Sequence, residues 1–206
     1  MANDLPIFEL PMVLLPGELL PLHIFEDRYK RMIGHCLDAA EPFGIVFGDD
    51  EGARNIGCEA RVAEVLERFD DGRMNIIVAG ERPFRVLDRY EAPDYPAGEV
   101  EPIDVGEELG DSDEDAAAVA RDAFAALVER VSGERPDGGE LAAEDAYAIA
   151  ARVELPPETK QRLLELRSER ERMRVLADAL RALVKAVAQS RAIAERARMN
   201  GKVIAG

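Results

Sequence analysis

Apolar residues in 5–29 (LPIFELPMVLLPGELLPLHIFEDRY) come in short runs, cut by Pro6, Pro11, Pro16-Gly17 and Pro21. Proline fixes φ and removes a backbone donor, so no helix can run through this stretch. The runs Ile7-Phe8, Val13-Leu14-Leu15 and Leu19-Leu20 are too apolar for loops. They predict short, buried strand pieces with forced turns between them. From Glu26 the period changes: Tyr29, Met32, Ile33, Cys36 and Leu37 fall at helical spacing. Glu26 and Asp27 then sit at the positive end of the helix dipole. A bent β-ribbon feeding one helix is expected.

Strand signals continue downstream. Residues 43–48 (FGIVFG) form an apolar run bounded by turn residues, and DDEG follows as a loop. Residues 58–69 alternate imperfectly and are ambiguous between helix and strand. Asp70-Asp71-Gly72-Arg73 is a hairpin signal leading into MNIIV at 74–78, so a strand is favoured on both sides. Gly80 is expected to break the pattern, with a new strand opening at Phe84-Arg85-Val86-Leu87 and another, weakly alternating, over 95–105. Many short strands and one helix predict a small, partly closed β-barrel.

From Ser112 the pattern becomes helical. Ser112 and Asp115 form a capping pair, followed by the stripe Val119, Ala123, Phe124, Leu127, Val128, Val131, with Gly133 as the stop. RPDGGE reads as a turn, and residues 144–153 as a second helix. Pro156-Pro157 opens a third, with Leu163, Leu164 and Leu166 inward. Ser168 and Glu171 make a capping box for a fourth, where Met173, Leu176, Leu180, Leu183 and Val187 recur at heptad-like spacing. None of these helices can bury its stripe alone, so a bundle is expected. The fold class is α+β: a β-rich lobe over residues 1–108, then a helical bundle lobe over 109–206.

Composition adds limits. Of the 206 residues, 47% are hydrophobic and 33% charged, a globular balance. A chain this long buries roughly 70% of its unfolded surface and needs no disulfides. Cys36 and Cys58 are the two cysteines, neither sits in a C-x-x-C, and they read as reduced, partly buried thiols. The start MANDLPIFEL lacks the basic, unbroken apolar character of a secretory leader, and no apolar run approaches a membrane span. The expected location is cytoplasmic, with no membrane partner. Net charge is −16, and residues 91–115 supply eleven acids and no Lys or Arg. That balance repels phosphate backbones and disfavours nucleic acid.

The order L-P-x-F-x-L, V-L-L-P-G, L-P-L-H-I-F-E-x-R-Y in residues 5–29 resembles the amino-terminal substrate-binding domain of the Lon protease family. Asp27 stands where that family often has proline. The resemblance extends to Gly80-x-x-x-Phe84, to Lys160-Gln161-Arg162-Leu163-Leu164-Glu165 and to Glu171-Arg172-Met173, covering roughly residues 5–188. Pro83 stands where the family usually has arginine, with Arg82 and Arg85 close by. The resemblance implies a PUA-like barrel and a non-catalytic module that binds protein segments, as an adaptor or in a chaperone-like role. The implied partners are unfolded or flexible polypeptides, together with a protease or chaperone that the module would serve. The implied site gathers Pro16, Gly17, Leu19, Leu20, His23, Phe25, Glu26, Arg28 and Tyr29 around an apolar groove where the two lobes meet.

Catalytic chemistry finds no footing in the residues. Full-length Lon enzymes add an ATPase and a serine-lysine peptidase. Here the sole Gly-Lys, Gly201-Lys202, precedes valine, so no phosphate-cradling G-x-x-x-x-G-K-[ST] loop exists. Ser112, Ser132, Ser168 and Ser190 read as helix-end or turn residues, not as a nucleophile beside a desolvated lysine. His23 and His35 are not spaced as metal ligands. His23 reads as a partly buried imidazole bonded to backbone, Glu26 or Arg28, and Glu26, Arg28 and Tyr29 read as the pins of a strand-to-helix corner. No metal and no cofactor is expected. The alternative is a PUA-like binder of nucleic acid or a small molecule, against which stand the charge and the lack of a basic stripe with interleaved aromatics.

Overall fold

The computed structural model describes residues 3–104 and 114–202. Six strands come first: β1 (Asn3–Leu10), β2 (Leu19–Ile24), β3 (Phe43–Asp49), β4 (Gly52–Arg68), β5 (Met74–Glu91) and β6 (Pro96–Pro102). Helix α1 (Asp27–Ala39) lies between β2 and β3. Hydrogen-bonded pairings run β5–β4–β3–β1–β6 and return from β6 to β5, making a ring. The β1–β3 pair is parallel and the rest are antiparallel. Leu5, Ile7, Val46, Phe84, Val86 and Val100 form one buried cluster of this barrel.

β5 departs from the sequence expectation. Gly80 does not break it; the strand continues for 18 residues. Its first part, residues 74–79, pairs with β2 on one side and β4 on the other, while residues 84–91 pair with β6. Length is what lets one strand serve both the ring and a three-stranded extension of the same sheet. Gly80 is there for space: a Cβ would lie 2.1 Å from the carbonyl oxygen of Leu15.

The run Val13, Leu14, Leu15 is buried as expected but forms no strand. It packs as irregular chain and ends in a turn in which Glu18 N–H bonds Leu15 O at 3.1 Å. Pro16 and Gly17 are its central residues, and Gly17 has φ +76°, the pattern of a type II turn. Gly17 N–H then donates to Gly80 O at 2.9 Å, and Gly80 N–H to Glu18 O at 3.0 Å.

The helices are α2 (Glu114–Ser132), α3 (Gly138–Leu141), α4 (Ala146–Ala150), α5 (Pro157–Glu165) and α6 (Glu169–Lys202). The buried stripe of α2 is alanine-rich (Ala117, Ala120, Ala123, Ala125) with Phe124 and Leu127, which allows close approach to α6. Val119 and Val131, expected in that stripe, are exposed instead. Ser112 lies outside the described residues. The RPDGGE turn runs into the short α3. The second predicted helix shrinks to α4, capped by Asp145 accepting from Ala148 N–H at 2.8 Å. Leu166 ends α5 in an extended conformation, half-buried. Ser168 just precedes α6, while Ser190 sits within that helix rather than at an end or in a turn.

A second, larger cluster of buried side chains draws on both kinds of element. It includes Phe8, Tyr29, Met32 and Ile76 together with Tyr147, Leu163, Leu176 and Leu180. Motif residues shared with the Lon pattern hold the pieces together. Lys160 pairs with Glu18, and Gln161 Nε2 donates to Ile56 O at 3.1 Å. The buried Arg172 bonds Glu169 at 2.8 Å, donates to Leu166 O at 2.8 Å and stacks over Tyr147 at 4.8 Å. Burial pushes the Tyr147 hydroxyl up to about 12, and that hydroxyl donates to Leu163 O.

Candidate functional site

Beyond the ring, β2, residues 74–79 of β5 and residues 61–68 of β4 form a three-stranded antiparallel sheet. Side chains alternate faces along each strand. One face carries Leu20, Leu22 and Ile24, Val78, Ile76 and Met74, Val62 and Val65, all buried or half-buried in the larger cluster. The opposite face meets solvent, and the pairing register arranges it in three cross-strand rows. They are Leu19–Ala79–Arg61, Pro21–Ile77–Glu64 and His23–Asn75–Glu67.

The third row is a hydrogen-bonded chain. His23 Nδ1 and Asn75 Oδ1 lie 2.7 Å apart, and Asn75 Nδ2 donates to Glu67 Oε2 at 3.1 Å. Because Asn75 Oδ1 accepts, Nδ1 of His23 carries the proton. Sequence reading placed the His23 imidazole partly buried against backbone, Glu26 or Arg28. It is in fact exposed, and its partner comes from the neighbouring strand. Only the 52-residue register between β2 and β5 brings them together, so no local pattern could reveal it. The His23 ring also stacks on Phe25 at 6.0 Å and meets Phe69 edge-on at 6.2 Å.

The other rows are apolar toward β2. Leu19 is 63% exposed and Phe25, just past the strand, 60%. A one-sided antiparallel sheet normally turns polar residues to water. Here large apolar side chains stand there, beside Pro21, Ile77 and Ala79.

The nine residues implied by the sequence resemblance therefore divide. Leu19, His23 and Phe25 share the solvent face. Leu20 is on the opposite, core side. Pro16 and Gly17 form the turn that seats β2 against Gly80. Glu26, Arg28 and Tyr29 make the corner before α1: Arg28 Nε donates to Glu26 at 3.1 Å and its guanidinium lies 4.5 Å from the Tyr29 ring centroid. Tyr29 is buried against Phe8, with centroids 4.1 Å apart, and burial raises its hydroxyl pKa against the opposing pull of Arg28. Arg28 and Tyr29 also line a cavity of about 440 Å³ with Glu9, Arg89, Tyr90 and Glu91, away from the rows above. Where strands and helices share the larger cluster, Leu14 and Leu15 are buried and Glu18 pairs with Lys160. The sequence signal for the solvent face existed in the alternation Leu19, Pro21, His23, but burial of one face could not be assigned without the register.

Other chemistry is sparse. A cleft beside α1 gathers Lys30, Arg31, Arg68 and Arg73. Lys30 is paired with Asp27 at 2.7 Å, Arg31 with Asp94 at 3.5 Å and Arg73 with Asp71 at 2.7 Å. Arg82, next to the unusual Pro83, grips the buried Glu59 through two bonds of 3.0 and 3.2 Å. Cys36 and Cys58 are both buried free thiols, and burial pushes their pKa values up, that of Cys36 to about 11. Among the described residues, no three His, Cys, Asp or Glu side chains converge as a metal site, and no helix is long and apolar enough to cross a membrane.

Comparison with known proteins converges on one domain type. Residues 4–182 match the family model described as the ATP-dependent protease La (LON) substrate-binding domain. The chain is 27% identical over 220 residues to the Lon protease of Paraburkholderia phytofirmans, covering 95% of this chain and 26% of that protein. It is 27% identical over 192 residues to the Lon protease of Anaeromyxobacter dehalogenans, covering 85% of this chain and 23% of that one. It thus spans about a quarter of the length of these curated relatives. Two solved structures share the fold. The N-terminal domain of Mycobacterium avium complex Lon protease aligns with TM-score 0.68 at 22% identity, over 86% of this chain and 98% of that one. A Lon N-terminal domain protein from Xanthomonas campestris aligns with TM-score 0.60 at 24% identity, over 83% and 95%.

Proposed function

Because the chain belongs to the Lon substrate-binding domain family, we propose that it binds extended or unfolded polypeptide on the solvent face of β2, β5 and β4. The observation that carries this reading is the exposure of Leu19 and Phe25 on a sheet face whose opposite side is the core. Exposed apolar surface on a folded domain marks a contact site. A client that covers these side chains gains about 25 cal/mol for each Å² of apolar area removed from water.

In this reading the chain grips polypeptide and leaves bond cleavage to a partner. It acts as an adaptor that presents clients to a protease or as a chaperone-like holdase. Nucleic acid is less well supported: three of the four cations in the cleft beside α1 already have carboxylate partners, and the chain carries −16 overall. The test is a titration of a labelled, reduced, permanently unfolded protein, followed by fluorescence anisotropy. Micromolar binding that persists in added salt is the expected result. A signal flat to high micromolar concentration contradicts the proposal.

A further inference from the structure

The charges on the same sheet face say which polypeptides it would accept. On β4, Glu64 and Glu67 stand in the rows that lead from Pro21 and His23. Among the described residues no cation pairs with either; Glu67 meets only the Asn75 amide. Among the described residues, the cation within the three rows is Arg61, paired with Glu81 at 2.8 Å, and Arg73, over the Phe69 ring at 5.1 Å, is paired with Asp71 at 2.7 Å. An apolar strip along β2 is thus flanked by carboxylates, on a chain of net charge −16.

Among the described residues β2 is an edge strand, bonded only to β5, yet strand addition at that edge is blunted. Pro21 sits mid-strand, and a proline in an edge strand leaves its missing donor on the open side. The face is therefore a better seat than the edge. A second copy of the chain is a poor occupant, since it would bring another strongly negative molecule against these carboxylates.

Resting on the reading that this face binds extended polypeptide, we infer that it selects segments whose apolar side chains are flanked by Lys or Arg and discriminates against acidic ones. Apolar contact with Leu19 and Phe25 supplies grip; Glu64 and Glu67 supply choice. Exposed ion pairs give only modest energies, so the selectivity is a matter of several-fold preference, not of on or off.

The test uses the full chain and three labelled peptides with one shared apolar core, flanked by Lys, Ser or Glu. The Lys-flanked peptide should bind about fivefold more tightly than the Ser-flanked one, and the Glu-flanked one more weakly than either. The gap should close as salt is raised, because exposed pairs are screened. Glu64→Gln with Glu67→Gln should bring the three affinities together, while Gln at 67 still accepts from Asn75. Glu134→Gln with Glu140→Gln, in the helical part, should leave the preference intact. Equal binding of all three peptides overturns the charge inference and leaves the binding proposal standing. Preference that survives the Glu64/Glu67 change also overturns it, whatever the Glu134/Glu140 change does. Binding of none overturns both. Dimerisation that Leu19→Ser abolishes would assign the face to self-contact and overturn both as well.

Discussion

Lys160 of α5 forms an ion pair with Glu18, a residue 142 positions earlier in the chain, with both side chains mostly withdrawn from water. Glu18 also accepts from Leu15 N–H at 3.0 Å and directly precedes Leu19. One carboxylate therefore closes the turn that sets up β2 and ties it to the helices. Removing only the cation would leave that carboxylate withdrawn from water without a counter-charge. We expect Lys160→Met to cost about 3 kcal/mol in urea denaturation, and Glu18→Gln in the same chain to restore most of it. Glutamine keeps an acceptor for Leu15, so the double variant separates charge from turn geometry.

Gly80 meets the Leu15 carbonyl where any Cβ would be 2.1 Å from the oxygen. Backbone lies on both sides of this contact, so the neighbour cannot swing away as a side chain would. Gly80→Ala should lower stability by about 2 kcal/mol or more and disturb β2 before it disturbs the ring. Hydrogen exchange resolved by residue would show this as lost protection at Leu20 and Leu22, with β3 and β6 unchanged.

Stability should fall on the alkaline side. Burial holds the Cys36 thiol up to about 11, against about 9 for a free thiol, and pushes Cys58 up as well. A raised pKa means the folded state keeps its proton while the unfolded state releases it. This contribution is therefore complete below pH 9 and is lost as pH rises from 9 toward the folded value. At pH 10 each thiol should remove about 1 kcal/mol. Denaturation midpoints at pH 7 and pH 10, compared with those of Cys36→Ala and Cys58→Ala, check the slope; a pH-independent midpoint contradicts it.

Much of the fold was legible because prolines and hydrophobic period are local signals. Pro6, Pro11 and Pro16-Gly17 forbade a helix, Tyr29 to Leu37 announced one, and Asp71-Gly72 marked the β4–β5 turn. What was not legible depends on partners distant in sequence. Gly80 resembled a break because its neighbour, the Leu15 carbonyl, is 65 residues away. Val119 and Val131 resembled core because helical period shows that a stripe exists, but not which of two adjacent stripes α6 covers; alanines took that place. At the site, Leu19, His23 and Phe25 are close neighbours in the sequence itself. The side to which they point, and the row His23–Asn75–Glu67, required the strand register.

The most direct measurement compares the native chain with Leu19→Ser/Phe25→Ser in binding to unfolded polypeptide. Both side chains are largely exposed, so folding stability should change by less than about 0.5 kcal/mol per site. Affinity measured by anisotropy should fall at least about tenfold, the loss expected when two apolar anchors no longer leave water. A variant that folds normally and binds unfolded polypeptide as tightly as the native chain would contradict the assignment of this face.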